Sequence, residues 1–375
     1  MNADFIVIGA GIAGAGVAFE LARSAAVIVL EAEPQPGYHS TGRSAALFSE
    51  IYGNETVRAL SRASRNFLHS PPAGFAASAL LKPRGSLFIA SRAQCEAFEQ
   101  LQAAPDVQRL TRPLSGAEAR SIVPILKPEW TWKVMLEEGS HDVDVHALHQ
   151  GYLRGMRERG AALVCSSLVR SIERHAVGWR VATAHHEYHA PVVVNAAGAW
   201  ADEIAVLAGL PRIGMEPRRR TALLVDPPLG LSTDGWPMVL DVADTFYFKP
   251  DAGKLLLSPA DETPSAPCDV QPDALDVAIA VDRVEQATTM TIARVRHQWA
   301  GLRSFVPDRS PLIGFDPGAE GFFWLAAQGG YGIQTAPAVA RFAAALARLA
   351  SVDDPDLEPL QRAVAPARLR RGRAA

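Results

Sequence analysis

The residues best suited to chemistry lie near the start of the sequence, where Gly9, Gly11 and Gly14 form the pattern G-x-G-x-x-G. The first glycine permits a tight turn, the second lets the backbone approach a pyrophosphate, and the third lets the following helix pack closely. The N-terminus of that helix adds free N–H donors. Glu31 follows about twenty positions later, where an acidic side chain can hydrogen-bond a ribose hydroxyl and would repel a 2′-phosphate. The pattern predicts a dinucleotide site and disfavours NADP, with a glycine turn of an unrelated α/β protein as the alternative.

Two further segments favour FAD over NAD as the dinucleotide. Mostly small residues fill positions 39–46, soon after the acidic residue, and such a segment can lie flat against a large planar ring. Near the other end, the glycine-rich turn at 328–334 precedes the last helix and can offer N–H groups and a helix dipole to the electron-rich edge of a flavin. A plain strand-to-helix connection is the alternative for this turn. Two glycine turns at opposite ends of the chain predict one long cofactor.

Hydrophobic periodicity indicates the elements that must position these turns. Residues 4–9, a helix up to about residue 24, and residues 26–31 predict one β-α-β unit. Helical periodicity returns at 144–159, and residues 321–350 predict a strand, the second glycine turn and a final helix. These segments are typical of one nucleotide-binding domain whose parts are separated along the chain.

The remaining segments predict a second domain. The pattern loosens between residues 85 and 136, where one helix is expected after Ser91. Residues 213–305 alternate in the manner of strands, with one helix near 274–287. We therefore predict an α/β fold in which a Rossmann-type FAD-binding domain is interleaved with an α+β substrate domain built on a mixed, largely antiparallel sheet. The predicted FAD-binding domain comprises residues 1–83, 141–212 and 306–375, and the predicted substrate domain comprises residues 84–140 and 213–305.

Composition excludes several classes of protein. The 375 residues are 48% hydrophobic and 21% charged, with a formal charge of −3, so neither disorder nor nucleic acid binding is expected. The basic cluster at 368–373 is typical of a frayed, solvated end. The cysteines at 95, 165 and 268 show no C-x-x-C spacing, so no metal site is predicted. No targeting leader or membrane-spanning stretch is evident, and together with the scattered cysteines this predicts a cytoplasmic protein.

Several long motifs carry a resemblance to a known family. The chain resembles the amine-oxidising flavoproteins that include D-amino acid dehydrogenases, glycine oxidase and sarcosine oxidase, and within them the bacterial D-arginine dehydrogenases. The motifs that carry this resemblance are found at residues 35–46, 148–155, 194–200, 298–305 and 327–335. The resemblance implies a noncovalent FAD and the oxidation of the CH–NH2 group of a D-amino acid to an imino acid, which water converts to a keto acid and ammonia.

The resemblance also implies roles for individual residues. Arg220 and Arg303 would bind the substrate carboxylate, Tyr52 and Tyr247 would close over the substrate, Ser86 would contact it, and Gly330 and Gln334 would touch it near the flavin; of these, both arginines, both tyrosines and Gln334 form the predicted catalytic set. The residues implied to contact FAD are Gly9, Gly11, Ala13, Gly14, Glu31, Ala32, Thr41, Gly42, Arg43, Ser44, Ala45, Ala46, Val169, Gly198, Gly329, Gly330, Tyr331, Gly332, Ile333 and Gln334.

The two arginines can also be interpreted from their neighbours. Arg303 sits among Trp299, Leu302 and Phe305, so its charge is expected in apolar surroundings, where it needs an anion such as a substrate carboxylate. An internal Asp or Glu would serve equally well. Arg220 lies on an alternating strand with one inward face, and an exposed strand charge is the alternative interpretation. For the two tyrosines the alternative is a role as core aromatics.

Two departures from the family pattern bear on the substrate. Ser86 stands where the arginine enzymes place a glutamate that pairs with the substrate guanidinium, and Leu47 stands where they place a histidine. A buried guanidinium without its anion would cost several kcal/mol, so we predict a preference for neutral or apolar side chains over D-arginine. Glu50 could restore an acidic contact, although a surface glutamate is the alternative. Without the histidine, water or Tyr52 is left to manage the amine proton.

The sequence is also compatible with two other functions. An enzyme of the same fold could act on a 2-hydroxy acid or an N-methyl amino acid, and a flavin-binding protein with little turnover is a second alternative. Either a respiratory carrier or oxygen could reoxidise the flavin, since no motif in the sequence distinguishes the two.

Overall fold

The computed structural model describes residues 1–175 and 177–370. The first third contains β1 (Phe5–Ile8), α1 (Ile12–Leu21), β2 (Val27–Leu30), β3 (Leu47–Phe48), α2 (Glu55–His69), β4 (Leu81–Pro83), β5 (Ser86–Ala90), α3 (Cys95–Gln102), α4 (Pro105–Leu110), β6 (Arg112–Leu114) and α5 (Gly116–Ile122). The middle contains β7 (Lys133–Glu137), β8 (His141–Val143), α6 (Val145–Glu158), β9 (Ala162–Val164), β10 (Ser171–His175), β11 (Gly178–Ala182), β12 (Glu187–Ala190), β13 (Val192–Asn195), α7 (Ala201–Leu207) and β14 (Glu216–Val225). The last third contains β15 (Met238–Asp241), β16 (Tyr247–Asp251), β17 (Lys254–Ser258), β18 (Thr263–Pro264), α8 (Ala274–Ala287), β19 (Val295–Phe305), β20 (Leu312–Phe315), β21 (Phe322–Ala326), α9 (Gly332–Ala347), α10 (Gln361–Val364) and α11 (Ala367–Arg370).

A six-stranded sheet in the order β20-β21-β13-β1-β2-β9 carries the nucleotide turn. Its strands are parallel except for β20, which runs antiparallel to β21. Along β1, Phe5 and Val7 pack in one apolar cluster while Ile6 and Ile8 pack in another on the opposite face. Because both faces are buried, the strand is a continuous apolar run rather than an alternating one. The predicted β-α-β unit at the start of the chain is confirmed.

Helix α1 packs between the sheet, α6 and α9. It is buried on almost every side, which explains its run of small and apolar residues between Ile12 and Leu21. A side chain at Gly155 of α6 would place its Cβ 2.4 Å from the ring of Phe19, so glycine at that position permits the close approach of α6 to α1. The tight packing fixes the N-terminus of α1 against the sheet edge, where the nucleotide turn lies.

The second large sheet has the order β18-β14-β17-β16-β15-β5-β7-β6, with β19 paired to β14. Only β15 and β5 pair in parallel among these strands, so the sheet is mixed and largely antiparallel, as predicted. One face packs on α5 and α8, and the other face turns Met238 and Tyr247 toward the first domain. The strands of this sheet fall within residues 86–137 and 216–305, and we propose the domain division predicted from the sequence on that basis.

Two features differ from the sequence expectations. The insertion after Ser91 contains α4 and α5 beyond the one helix expected there; α5 begins at a capping box in which Ser115 and Glu118 exchange hydrogen bonds. The basic end is not frayed over its described part, because Arg368 pairs with Asp308 at 2.7 Å and Arg370 with Asp316 at 2.9 Å. The arginines at 371 and 373 lie outside the described residues. Within residues 1–175 and 177–370, no helix combines the length and the apolar composition needed to cross a membrane.

Candidate active site

A cavity of about 1140 Å³ lies at the carboxyl ends of β1 and β2, where the G-x-G-x-x-G turn meets Glu31. One Glu31 carboxylate oxygen accepts from the Ala10 N–H at 2.7 Å and the other accepts from the Glu33 N–H at 3.0 Å. A carboxylate has about four acceptor positions, so both oxygens retain capacity for ribose hydroxyls. Ala32, Val169 and Gly198 from the predicted cofactor set also line this cavity, together with the rings of Tyr38, His39 and Trp200.

The glycines of the first turn are required by close backbone approaches. Gly9 has a φ of +100°, and a Cβ there would lie 2.5 Å from the carbonyl oxygen of Ala196. A Cβ on Gly14 would lie 1.9 Å from the carbonyl oxygen of Gly9, so α1 could not start against the turn with any larger residue. The Thr41 hydroxyl accepts from the Ile12 N–H at 3.0 Å, which ties the small-residue segment to the start of α1.

A second cavity of about 970 Å³ continues from the first and shares Gly11, Thr41 and Gly198 with it. The small-residue segment forms one wall and is fastened to β19 at two points. The Ser40 hydroxyl donates to the carbonyl oxygen of Leu302 at 2.6 Å, and the indole N–H of Trp299 donates to the carbonyl oxygen of Arg43 at 2.9 Å. Predicted cofactor residues that line this second cavity are Gly11, Ala13, Thr41, Arg43, Ser44, Ala45, Gly198, Gly329, Gly330, Gly332 and Ile333.

The second glycine turn forms the opposite wall and opens α9. Gly329 has a φ of +53°, and a Cβ there would lie 2.3 Å from the Phe305 ring. A Cβ on Gly330 would lie 2.7 Å from Nη1 of Arg303, so glycine leaves room for that guanidinium. The first N–H groups of α9 have no partner within the helix and carry its positive dipole end.

The residues present fit a flavin dinucleotide. Gly11, Thr41 and Gly198 line both cavities and join them into one elongated space, as a dinucleotide requires. Gln328 lines the second cavity, and among the described residues nothing hydrogen-bonds its buried Nε2. Such a donor is costly unless a ligand satisfies it. In the described part of the chain, no cluster of three or more His, Cys, Asp or Glu side chains is placed to hold a metal ion.

A third cavity of about 610 Å³ adjoins the second and is the candidate substrate site. It is shared between the small-residue segment, β5, β15, β16 and β19. Its polar lining includes Arg303, Tyr52 and Tyr247, while the apolar lining comes from Ala45, Ala46, Leu47, Phe88, Met238 and Leu240. Ser86 and Gly330 of the predicted substrate set line it as well.

Arg303 lies where the second and third cavities meet, and it is half-buried. Its Nη1 donates to the Tyr52 hydroxyl at 3.2 Å, and no carboxylate in the described part of the chain lies within ion-pair distance of it. Burial acts to lower the pKa of Arg303, but Tyr52, Tyr247 and Asp244 together raise it, so the guanidinium stays charged. A charged fork that faces a cavity without an ion partner is suited to a bidentate carboxylate ligand.

Arg220 has more hydrogen-bond and ion-pair partners than Arg303. It is 6% exposed and lines the second cavity. Its Nε donates to the carbonyl oxygen of Asp261 at 2.8 Å, and its Nη2 lies 3.4 Å from the Glu262 carboxylate. Glu262 also binds Arg309 at 2.6 Å, so this carboxylate is shared. The exposed-strand interpretation of Arg220 is wrong, and Arg303 is the cation with the greater free capacity for a ligand.

Some predicted site residues lie behind the cavity walls. Gln334 is 2% exposed, and its amide accepts from the Ser49 N–H at 3.1 Å and donates to the Ser61 hydroxyl at 2.8 Å. The Tyr331 ring packs edge-on against Tyr52 at a centroid distance of 5.0 Å, where it supports that tyrosine.

Other predicted residues hold the site together through the backbone or through ion pairs. Gly14 and Gly42 act through the backbone, since a Cβ at either would meet a neighbouring carbonyl oxygen. The guanidinium of Arg43 binds Asp269 and the carbonyl oxygens of Val270 and Ala300. Glu50 forms an ion pair with Arg65 and is itself buried, so it is not a surface glutamate.

Sequence reasoning missed Asp244, a carboxylate in the third cavity. It follows β15 with a φ of +52°, and its side chain is open to the cavity. Burial by the surrounding protein raises the pKa of the Asp244 carboxyl, while the positive charges of Arg220 and Arg303 oppose that rise. No signal in the sequence marked this residue, because only the fold brings the turn after β15 to the arginines.

We expect the Asp244→Asn substitution to strengthen binding of simple carboxylates. Removing a negative charge near Arg303 favours an anion by about 1 kcal/mol, or roughly fivefold, at the effective dielectric of a partly solvated site. The inhibition constant of propionate against flavin reduction measures this change. Asp251→Asn, at the far end of β16 from Tyr247, is the matched control and should leave the constant unchanged. Weaker propionate binding in Asp244→Asn would contradict the assigned electrostatic role.

A Rossmann-type sheet with two glycine turns around one elongated cavity defines a flavin dinucleotide oxidoreductase. The chain belongs to the DAO family of FAD dependent oxidoreductases, whose family model matches residues 4–346, and FAD is its cofactor. It is 24% identical over 354 residues to an uncharacterized oxidoreductase, YurR of Bacillus subtilis, covering 89% of this chain and 92% of that protein.

Two solved structures are similar over the full length. L-proline dehydrogenase from P. horikoshii aligns with a TM-score of 0.84 at 24% identity, covering 100% of this chain and 99% of that one. Glycine oxidase from Geobacillus kaustophilus aligns with a TM-score of 0.80 at 22% identity, covering 94% and 96%. At these identities the two structures support the fold alone, and they confirm the predicted fold class.

Proposed function

We propose that this FAD-dependent oxidoreductase oxidises the CH–NH2 group of a D-amino acid to an imino acid, which water then converts to a keto acid and ammonia. The observation that carries the proposal is Arg303, a charged guanidinium at the junction of the FAD cavity and the third cavity that has no carboxylate within ion-pair distance among the described residues. The D configuration rests on the motifs shared with D-amino acid dehydrogenases, among them the D-arginine enzymes. Proteins of similar structure that are named for oxidising proline and glycine support an amino acid as substrate.

In this proposal the residues of the chain position the substrate. Arg303 grips its carboxylate, with Arg220 adding positive potential from the same side. The Tyr52 hydroxyl donates a hydrogen bond to the substrate carboxylate, and the Tyr247 ring covers the substrate from β16. FAD, when bound, supplies the hydride acceptor. Holding the α-carbon in one orientation next to the cofactor cavity accounts for most of the expected rate enhancement.

We propose a preference for neutral or apolar side chains. The apolar lining of the third cavity includes Leu47, Phe88, Met238 and Leu240. Ser86 is fully buried, and its hydroxyl hydrogen-bonds that of Ser140 at 2.7 Å. Asp244 is coupled electrostatically to the two arginines, so its charge is compensated there rather than offered to a distal guanidinium. A substrate guanidinium in this pocket would have to compete with Arg220 and Arg303 for the Asp244 carboxylate.

Anaerobic addition of amino acids to the purified yellow protein tests both parts of the proposal. We expect D-leucine, D-methionine and D-phenylalanine to bleach the flavin and to release one ammonia per flavin reduced. We expect D-arginine and D-lysine to react at least tenfold more slowly, and L-amino acids not to react. If 2-hydroxy acids bleach the flavin instead, or if N-methyl amino acids do so with release of methylamine, the substrate belongs to that class and not to the D-amino acids. A clear preference for D-arginine would overturn the side-chain assignment.

A further inference from the structure

A buried carboxyl group lies directly behind the third cavity. Glu137 ends β7 and is 2% exposed. In the antiparallel register it is paired with Ser86 of β5, which lines the third cavity. Glu137 takes no part in binding or orienting the substrate in the proposed function. No cation among the described residues lies within ion-pair distance of it, which is unusual for a buried carboxyl group.

The Ser49 hydroxyl connects Glu137 to the cavity. Ser49 lines the third cavity, and its Oγ donates to Oε2 of Glu137 at 2.8 Å. The Glu50 N–H donates to the other carboxylate oxygen at 3.2 Å. The backbone of Ser49 is held in place from the opposite side, because its N–H donates to Gln334 at 3.1 Å and Gln334 in turn donates to Ser61. The hydroxyl is therefore fixed between the cavity and a buried carboxylate.

Burial changes the acid strength of this group. It raises the pKa of Glu137 to about 7, against the lowering effect of the hydrogen bonds from Ser49 and the Glu50 backbone. The charged neighbours have opposite effects on this pKa: Glu50, itself paired with Arg65, raises it, and Arg58 lowers it. A carboxyl group with this acidity exchanges protons readily at neutral pH.

An amino acid arrives largely as its ammonium form, whose nitrogen has no lone pair to stabilise the positive charge that develops as hydride leaves the α-carbon. We propose that Glu137, acting through the Ser49 hydroxyl, accepts the proton that the substrate ammonium must lose before hydride transfer. This inference rests on the proposed function, because it requires an amine substrate.

The proton transfer balances without any further reactant. One ammonium N–H bond breaks as its proton passes to Ser49 Oγ, while the original Ser49 hydroxyl proton passes to Oε2 of Glu137. The products are a neutral amine, an intact serine and a protonated carboxyl group, with no change in oxidation state. Only the carboxylate form of Glu137 can accept the proton, so the rate of flavin reduction should rise as the pH increases through about 7.

The test is the pH profile of flavin reduction under anaerobic rapid mixing, with a D-amino acid that bleaches the wild-type flavin. We expect wild type to show a step near pH 7, and Glu137→Gln to lose that step and to react at least about tenfold more slowly at pH 8. Ser49→Ala should behave like Glu137→Gln, whereas Ser49→Thr, which retains a hydroxyl, should keep the step. Glu138→Gln, an exposed neighbour paired with Arg112, is the matched control and should match wild type.

The outcomes separate this inference from the proposed function. A wild-type step that persists in Glu137→Gln or in Ser49→Ala overturns the proton transfer while leaving amine oxidation in place. If no amine bleaches the wild-type flavin, the proposed function fails and the proton transfer fails with it. Should Glu137→Gln not retain FAD, the comparison of Ser49→Ala with Ser49→Thr decides, because equal profiles for those two variants overturn the role of the hydroxyl.

Discussion

Replacing Arg303 with alanine is expected to lower kcat/KM for the substrate by about two to four orders of magnitude while FAD remains bound. Removing one partner of a buried ion pair costs about 3–5 kcal/mol, because the other charge stays desolvated and unpaired. In this variant the unpaired charge is the substrate carboxylate, and no other guanidinium in the described part of the site has comparable free capacity. Flavin reduction kinetics with a fixed D-amino acid give the change directly.

Two control variants accompany this experiment. One changes another arginine of β19, and the other is a conservative substitution of Arg303 itself. Arg296, also on β19, is exposed at the surface and paired with Asp226, so Arg296→Ala should retain wild-type kinetics. Arg303→Lys keeps the charge but loses the planar fork, and an intermediate rate is expected. An Arg303→Ala variant that reduces its flavin at the wild-type rate would rule out carboxylate binding by this residue.

The second large effect is expected from Gly14→Ala, which should leave purified protein with less than about a tenth of its normal FAD content. The added Cβ would lie 1.9 Å from the carbonyl oxygen of Gly9, which belongs to the backbone and cannot rotate away as a flexible side chain could. The start of α1 must then move away from the turn, which displaces the N–H groups that would bind the phosphates of FAD.

The flavin absorbance relative to protein absorbance measures this loss, and thermal unfolding reports the accompanying destabilisation. Gly235→Ala is the matched control, since a Cβ there meets no atom within 4 Å and the position has an ordinary φ. It should retain full FAD content. Normal FAD content in Gly14→Ala would show that the helix can shift without disturbing the phosphate site.

The nucleotide half of the molecule was largely predictable from the sequence. Its strands are short apolar runs, its glycines are separated by fixed spacings, and Glu31 follows at the distance the turn requires. Each of these signals is local, because a tight turn and a close helix constrain residues only a few positions apart. The mixed character of the second sheet was predictable for the same reason, since period-2 alternation and turn residues are also local.

The insertion between Ser91 and Lys133 was predicted less well. The helices α4 and α5 have six and seven residues, too few for a periodic pattern to stand out from the background. The direction of the Gln334 side chain was not predictable either, because the motif fixes the position of the backbone but not the direction of the side chain. In the structure its amide binds Ser49 and Ser61 instead of facing the cavity.

By itself the sequence determined the class of cofactor and the two-sheet fold, because backbone turns and apolar periodicity are encoded within short windows. Only the tertiary structure decided how the candidate site is charged. Asp244 interacts electrostatically with Arg220 and Arg303, which lie 24 and 59 positions away in the sequence, and Glu137 binds Ser49, which lies 88 positions away. Burial and electrostatic coupling depend on what surrounds a side chain in space, and spacing along the chain carries no record of that environment.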